Sequence, residues 1–245
     1  MNVTQTDVVV ILGSGPNAPQ ARSWDRSWFD RLVVINNAWR VRSDWDDLIF
    51  PEDFPPERRP HGVNPHQRLI EADQFVPAQN AYGGFVYAGG TMAFTAAYWA
   101  LHAHRPRVLG FLGCDMVYPK TGATHFYGSG TADPLREDVT LRDLGAKSAR
   151  LGALAQQQGC ACVNLSDAPE TALLFERCAP RDLRAWSSPE PPLSTADLAG
   201  VLAQEKHLGY MVPSGRYWEE AARFDVQAID ALDARWRALW EPRLP

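Results

Sequence analysis

The chain is short of cysteine, of clustered positive charge and of long apolar runs, and each shortage excludes a class of protein. Four cysteines stand among 245 residues, at Cys114, Cys160, Cys162 and Cys178. Their spacings match neither a zinc knuckle nor a redox Cys-x-x-Cys pair, so they predict buried free thiols. The formal net charge is −5, and no block of Lys and Arg interrupts it. Nothing in that balance calls for a nucleic-acid backbone as the main partner. No apolar run approaches the ~20 residues of a membrane span, and the opening residues lack a basic-then-apolar signal pattern. The expectation is a cytoplasmic protein. A Gly-Lys-Ser/Thr phosphate loop is also missing, which excludes an ordinary P-loop kinase.

Against that background the first apolar stretch, Val8-Val9-Val10-Ile11-Leu12, stands out. Its mostly β-branched composition predicts a parallel strand buried on both faces. The turn behind it reads Gly13-Ser14-Gly15-Pro16-Asn17-Ala18. Two glycines allow a sharp turn whose N–H groups can hold a phosphate, or simply a tight loop to the next element. Asn17 is placed to cap a following helix or to hydrogen-bond a ligand. A second strand, Leu32 to Ile35, ends in Asn36 and Asn37. A nicotinamide dinucleotide site places an acid there for the ribose hydroxyls, and the first turn lacks the third glycine of that fingerprint. NAD is therefore not expected.

Asp44-Trp45-Asp46-Asp47 precedes a third strand, Leu48 to Phe50, and reads either as a solvated acidic loop or as a metal site for a sugar nucleotide. Residues 51 to 68 contain five prolines and predict an irregular surface excursion over the site. The second glycine-rich region, Gly83 to Thr91, opens an alanine-rich helix from Met92 to His104. Thr91 is its expected N-cap, and Gly90 and Thr91 mark either an anion site or close helix–sheet packing. A strand from Val108 to Gly113 leads into Cys114 and Asp115, a carboxylate at the strand end where α/β folds place ligands. The loop Thr124 to Thr131 reads as a lid carrying His125. A helix from Leu141 to Gln158, with Arg142, Lys147 and Arg150 on its exposed side, precedes a last core strand from Cys160 to Leu165.

This order predicts an α/β fold: a doubly wound, Rossmann-like parallel sheet over residues 1–180. A helical C-terminal extension is expected over 193–245, separated by a proline-rich break. Ser194 to Asp197 resembles a capping box, and Tyr217 to Trp240 reads as one amphipathic helix. Its stripe of Phe224, Ile229, Leu232, Trp236 and Leu239 calls for burial on the main domain or in a homo-oligomer.

With these pieces placed, the layout resembles the bacterial sialyltransferases of glycosyltransferase family 42. It is similar also to the wider superfamily of flagellin-modifying enzymes and hydroxymethylpterin diphosphokinases. The matching pieces are Gly13-Ser14-Gly15-Pro16, Asn36, and the unit from Gly90-Thr91 through the alanine-rich helix to Gly113-Cys114-Asp115. The resemblance implies a transferase that holds a nucleotide-linked donor of the CMP, CDP or UDP type and passes a glycosyl group to an acceptor hydroxyl. Gly13, Ser14, Gly15, Pro16, Asn17, Asn36, Asn37, Gly90 and Thr91 would then lie around the donor, and Tyr118 and Tyr127 would bond its phosphate. The catalytic set would be His125, Ser129 and Asp115: the family's His-Tyr-x-Gly-His run reads His125-Phe126-Tyr127-Gly128-Ser129 here, so strict register puts Ser129 in the place of the base. Two alternatives accompany this reading. One is a pterin-type diphosphokinase using ATP and a divalent metal on carboxylates such as Asp115. The other is a non-catalytic phage accessory or assembly protein that keeps the fold.

Overall fold

Five apolar residues in succession leave a strand no face for water, so both of its sides must be covered. Val8–Leu12 form such a strand, β1, with every side chain buried. The computed structural model describes residues 6–118, 123–128, 137–186 and 193–241. The other strands are β2 (Arg31–Ile35), β3 (Asp47–Ile49), β4 (Arg68–Ile70), β5 (Val108–Leu112) and β6 (Ala161–Asn164). They pair in the order β4-β3-β2-β1-β5-β6, and every pair is parallel. The chain thus steps outward from β1 to β4, then returns to the far side of β1 to lay down β5. That reversal makes the β1–β5 boundary a topological switch point, where open α/β sheets bind ligands.

The two faces are covered differently. Val9, Ile11, Val33, Ile35, Leu109 and Phe111 face α1 (Ala72–Asn80), α2 (Phe85–Ala88), α3 (Met92–His104) and α4 (Leu144–Gln157). Val8, Val10, Leu12, Leu32 and Val34 face a layer of 3-10 turns, among them Ala18–Ser23, Asn36–Arg40 and Pro180–Ala185. Such short turns bring little apolar surface of their own. Phe29 and Trp45, with Trp24, Trp28, Trp39 and Trp186 beside them, supply the missing area on that face. The doubly wound α/β sheet expected from the sequence is present, and among the described residues the α-helices lie on one side of it.

Local pattern misjudged several segments. The excursion from 51 to 68 ends in a strand, β4, and α1 follows with Pro77 inside it. β4 has only three residues, and it is pairing with β3 that makes it a strand. The acidic run is neither a solvated loop nor a metal site, because each carboxylate meets an arginine. Asp44 pairs with Arg42 at 2.6 Å and Asp46 with Arg26 at 2.6 Å. Asp47 is fully buried between Arg31, Arg68 and His104. Burial by itself raises the Asp47 carboxyl, but His104, Arg31 and Arg68 more than offset this and hold it well below the usual range.

Lys147 and Arg150, expected on the exposed side of α4, are both buried. The C-terminal helices α5 (Thr195–Leu208) and α6 (Val226–Trp240) cover that side of α4 and bring the matching acids. Lys147 Nζ lies 2.7 Å from Asp233 Oδ1. Arg150 donates to both Glu205 oxygens at 2.7 and 2.8 Å and to the Tyr98 hydroxyl at 2.8 Å. The capping box holds: Ser194 accepts from Asp197 N at 3.1 Å. The last helix begins later than its apolar pattern implied, because Asp225 caps it at Gln227 and Ala228 and a 3-10 segment, Tyr217–Arg223, precedes it. Ile229, Leu232, Trp236 and Trp240 are buried within the chain, so the stripe needs no second copy to cover it.

A buried guanidinium deprived of its carboxylate is costly. Glu205→Ala should therefore destabilise the fold by about 3–5 kcal/mol, read from denaturant unfolding. A loss below about 1 kcal/mol would show that Arg150 finds another partner.

Candidate functional site

The site is built where β1 and β5 end. Leu12 and Leu112 are in register, so the turns after them leave the sheet side by side. Gly13 N–H donates to Leu112 O at 2.8 Å, and Gly15 N–H donates to Gly113 O at 2.9 Å. A Cβ on Gly13 would stand 2.3 Å from Gly113 O, and one on Gly15 would stand 2.9 Å from the same atom. Of the two readings of the first turn, the tight contact is observed, and Gly13, Ser14, Gly15 and Pro16 also line the cavity above it. The glycines permit two turns to touch, and the Gly13 and Gly15 N–H groups are already engaged in that contact.

Above the touching turns lies a cavity of about 820 Å³. Every residue expected at the site lines it except Asn17 and Ser129. Ser129 lies outside the described residues. Asn17 instead braces a carboxylate, its amide donating to Asp115 Oδ2 at 3.0 Å and to Ser166 Oγ at 2.6 Å. Ser166 Oγ in turn donates to Asp115 Oδ2 at 2.9 Å. One oxygen of Asp115 is thereby fixed by the loops after β1 and β6, while Oδ1 is buried with no hydrogen-bond partner among the described residues.

The end of β2 contributes two adjacent carboxamides. Asn36 sits at φ 52°, in the left-handed region that asparagine tolerates better than most residues. Oδ1 of Asn36 and of Asn37 is buried and unpartnered among the described residues. Ser14 Oγ donates to Ile35 O at 3.2 Å and ties the first turn to the second. Thr91 caps α3, accepting from Phe94 N at 3.3 Å. In the first turn of that helix Met92 and Ala93, whose N–H groups have no acceptor within it, line the cavity. So does Thr95, whose hydroxyl is buried and unpartnered among the described residues.

His125 belongs to a tight turn closed by its reciprocal backbone bonds with Gly128, both 3.0 Å, and anchored by Phe126 N donating to Ser14 O at 3.0 Å. Its Nδ1 is 2.9 Å from Thr124 Oγ1, and its ring stacks on Tyr127 at 5.0 Å. Partial burial lowers its pKa below the ordinary 6.5, so the ring is neutral at pH 7. A neutral imidazole with Nδ1 tied to a hydroxyl leaves Nε2 for proton transfer when Nδ1 carries the hydrogen. Asp115 and His125 face one cavity.

The excursion expected over the site supplies part of its wall, Pro51–Pro55 with Arg58, and a stretch that local reading did not connect to the site, Ser214–Trp218, supplies another. The Tyr217 hydroxyl donates to Asp138 Oδ2 at 2.6 Å. Thr140 and Tyr217 both approach Gly90, where a Cβ would stand 2.4 Å from Thr140 Oγ1 and 3.0 Å from the Tyr217 hydroxyl. The Gly89-Gly90 doublet signalled a close approach but not its partners, Thr140 and Tyr217, the second of which comes from more than 120 residues away. Among the described residues no group of three or more His, Cys, Asp or Glu side chains is placed to hold a metal ion. No protein-family model matches the chain, and no curated protein and no solved structure matches it.

The neutral state of His125 is measurable. Its ring proton resonances should titrate with a pKa below 6.5. Because the folded value is depressed, the stability linked to this ring is full above the unfolded value and is lost as pH falls through and below it. A folded pKa at or above 6.5 would show that burial does not depress this ring.

Proposed function

We propose that the protein is a transferase that binds a nucleotide-linked donor, with a pyrimidine base, and passes its glycosyl group to an acceptor hydroxyl. The observation that carries this reading is the pair Asn36 and Asn37. Their carboxamides have hydrogen-bonding capacity that the described residues leave unmet, in the same cavity as the clamped Asp115 and the neutral His125. A carboxamide offers one acceptor and two donors in a plane, which suits the edge of a nucleobase. An acid at this position would instead have favoured the ribose diol of NAD. A fold kept without chemistry has no reason to hold an imidazole and a carboxylate in one cavity.

The donor phosphate belongs at the amino end of α3, where the N–H groups of Met92 and Ala93 have no acceptor within the helix and the helix dipole favours an anion. Among the described residues Glu52, Asp53, Asp115, Glu137 and Asp138 line the cavity against Arg58 and Arg216. That excess of acid repels a polyphosphate and favours a donor with a single phosphate. In the step itself the bond from the anomeric carbon to the phosphate oxygen breaks, and a bond from that carbon to the acceptor oxygen forms. His125 takes the acceptor proton, Asp115 Oδ1 accepts a hydrogen bond from a ligand hydroxyl, and Tyr118 and Tyr127 bond the departing phosphate. The same carboxylates keep the diphosphokinase as the second reading, since ATP would enter among them only with a divalent cation.

A thermal-shift series with CMP, CDP, UDP, NAD, and ATP with and without Mg²⁺ separates these readings. Stabilisation by a pyrimidine nucleotide is expected, and stabilisation by NAD alone would overturn the proposal. Asn36→Gly relieves a left-handed backbone at φ 52°, so it should leave the melting temperature unchanged or raised while shrinking the nucleotide shift. Once a donor is found, His125→Ala should lower turnover by about 10²–10⁴-fold with little change in nucleotide affinity. Unchanged turnover would remove this histidine from the mechanism.

A further inference from the structure

We infer that the cavity has a second subsite at its mouth, where the indole of Trp218 stacks on the ring of an uncharged pyranoside. The ring's role as the acceptor rests on the transferase reading above, whereas the platform rests on the geometry of the C-terminal segment.

Trp218 is 59% exposed, the most of any large hydrophobic side chain among the described residues. Two others that stand out in the same way, Tyr127 at 43% and Val117 at 39%, line the same cavity. Single exposed apolar residues need no explanation, but three around one opening mark a surface that something covers.

The segment that carries the indole is anchored. The indole packs edge-on to Tyr217 with ring centres 5.3 Å apart and planes at 77°. Tyr217 is itself buried, stacks on Phe85 at 6.1 Å and bonds Asp138. Gly215, at φ +77°, lets the segment press against α1 and α2: a Cβ there would stand 3.0 Å from Val76 and 3.1 Å from Phe85. Arg216 reaches across to Glu52 at 3.5 Å and joins this bank to the loop after β3. A platform fixed in advance loses little entropy when a ligand settles on it.

The chemistry around the indole selects the ligand. The axial C–H groups of a pyranose carry partial positive charge and suit the negative face of an aromatic ring. The hydroxyls around such a ring need planar polar partners of both kinds, and Glu52, Asp53, Arg58 and Arg216 provide acceptors and donors. The excess of acid among the described lining residues disfavours a second anion, and a lone cation would leave the donors of Arg58 and Arg216 unused. An uncharged ring uses acceptors and donors together. The nucleobase already has its place at Asn36 and Asn37, on a different strand end. A volume of about 820 Å³ is near the upper end of the ~300–1,000 Å³ of small-molecule pockets, which leaves room for a second ring. In the transfer, one hydroxyl of this ring would lose its proton to His125 as its oxygen bonds the anomeric carbon and the donor phosphate departs.

The test is saturation-transfer NMR on the full chain with methyl β-galactopyranoside, methyl β-glucopyranoside and methyl N-acetyl-β-glucosaminide, with choline as a cationic control. The CMP thermal shift is measured on the same samples. Transfer to ring C–H protons of at least one pyranoside is expected. It should weaken about tenfold in Trp218→Ala and persist in Trp218→Tyr, with the CMP shift equal in all three proteins. No transfer to any pyranoside would overturn the subsite, as would transfer unchanged in Trp218→Ala, or saturation of choline alone. A CMP shift lost in Trp218→Ala would overturn it too, by making the indole the nucleobase platform. Trp218-dependent pyranoside contact without any nucleotide shift would leave the subsite standing and remove the nucleotide-donor reading instead.

Discussion

The contact on which the site depends is the approach of two backbone turns, Gly13 to Gly15 against Gly113. Any side chain at Gly13 would collide with a backbone oxygen at 2.3 Å, and backbone cannot swing aside as a side-chain tip can. The two hydrogen bonds across this contact fix how far β1 and β5 can diverge at their carboxyl ends. From that fixed point Ser14 reaches the end of β2, Asn17 reaches Asp115, and Phe126 hangs the His125 turn on Ser14 O. A pair of glycines that looks like a ligand loop is therefore first a joint. Its effect on function passes through the side chains that the joint positions.

A second constraint comes from α4, whose Lys147 and Arg150 are buried charges that cannot stand alone. Their carboxylates lie on α5 and α6, so these helices are bound to the sheet's helical face by two buried ion pairs as well as by apolar packing. Pairs of this kind add little net stability compared with apolar residues of similar shape, but they penalise any arrangement that separates the partners. With α5 and α6 so placed, the segment between them, Ser214 to Trp218, lies along the cavity. The C-terminal part of the chain is thus a wall of the candidate site as well as a cover for α4.

The polar groups of the cavity divide into those with partners and those without. Asp115 Oδ2, Ser14, Thr91 and Tyr217 are occupied in holding the site together. Among the described residues, Asp115 Oδ1, Thr95 Oγ1 and the Oδ1 atoms of Asn36 and Asn37 have no partner, and buried polar groups in that state are costly enough that few proteins keep several in one place. Their collection at a topological switch point is what a bound ligand would explain.

What the sequence determined by itself was the part set by local chemistry. The unbroken apolar run of β1, the asparagines ending β2, the Thr91 cap and the strand-end Asp115 are each legible within a few residues, and together they located the fold class and most of the polar wall. The acidic run at 44–47 was misread because the partners of Asp46 and Asp47, namely Arg26, Arg31 and Arg68, lie elsewhere in the sequence. Lys147 and Arg150 were misread for the same reason, since a helix carrying charges looks solvated until another helix brings the opposite charges to it. β4 has too few residues for any periodicity to show. The joining of Trp218 and Tyr217 to the site was decided only by the tertiary structure. Periodicity records which face of a segment avoids water, but not which distant segment will cover it.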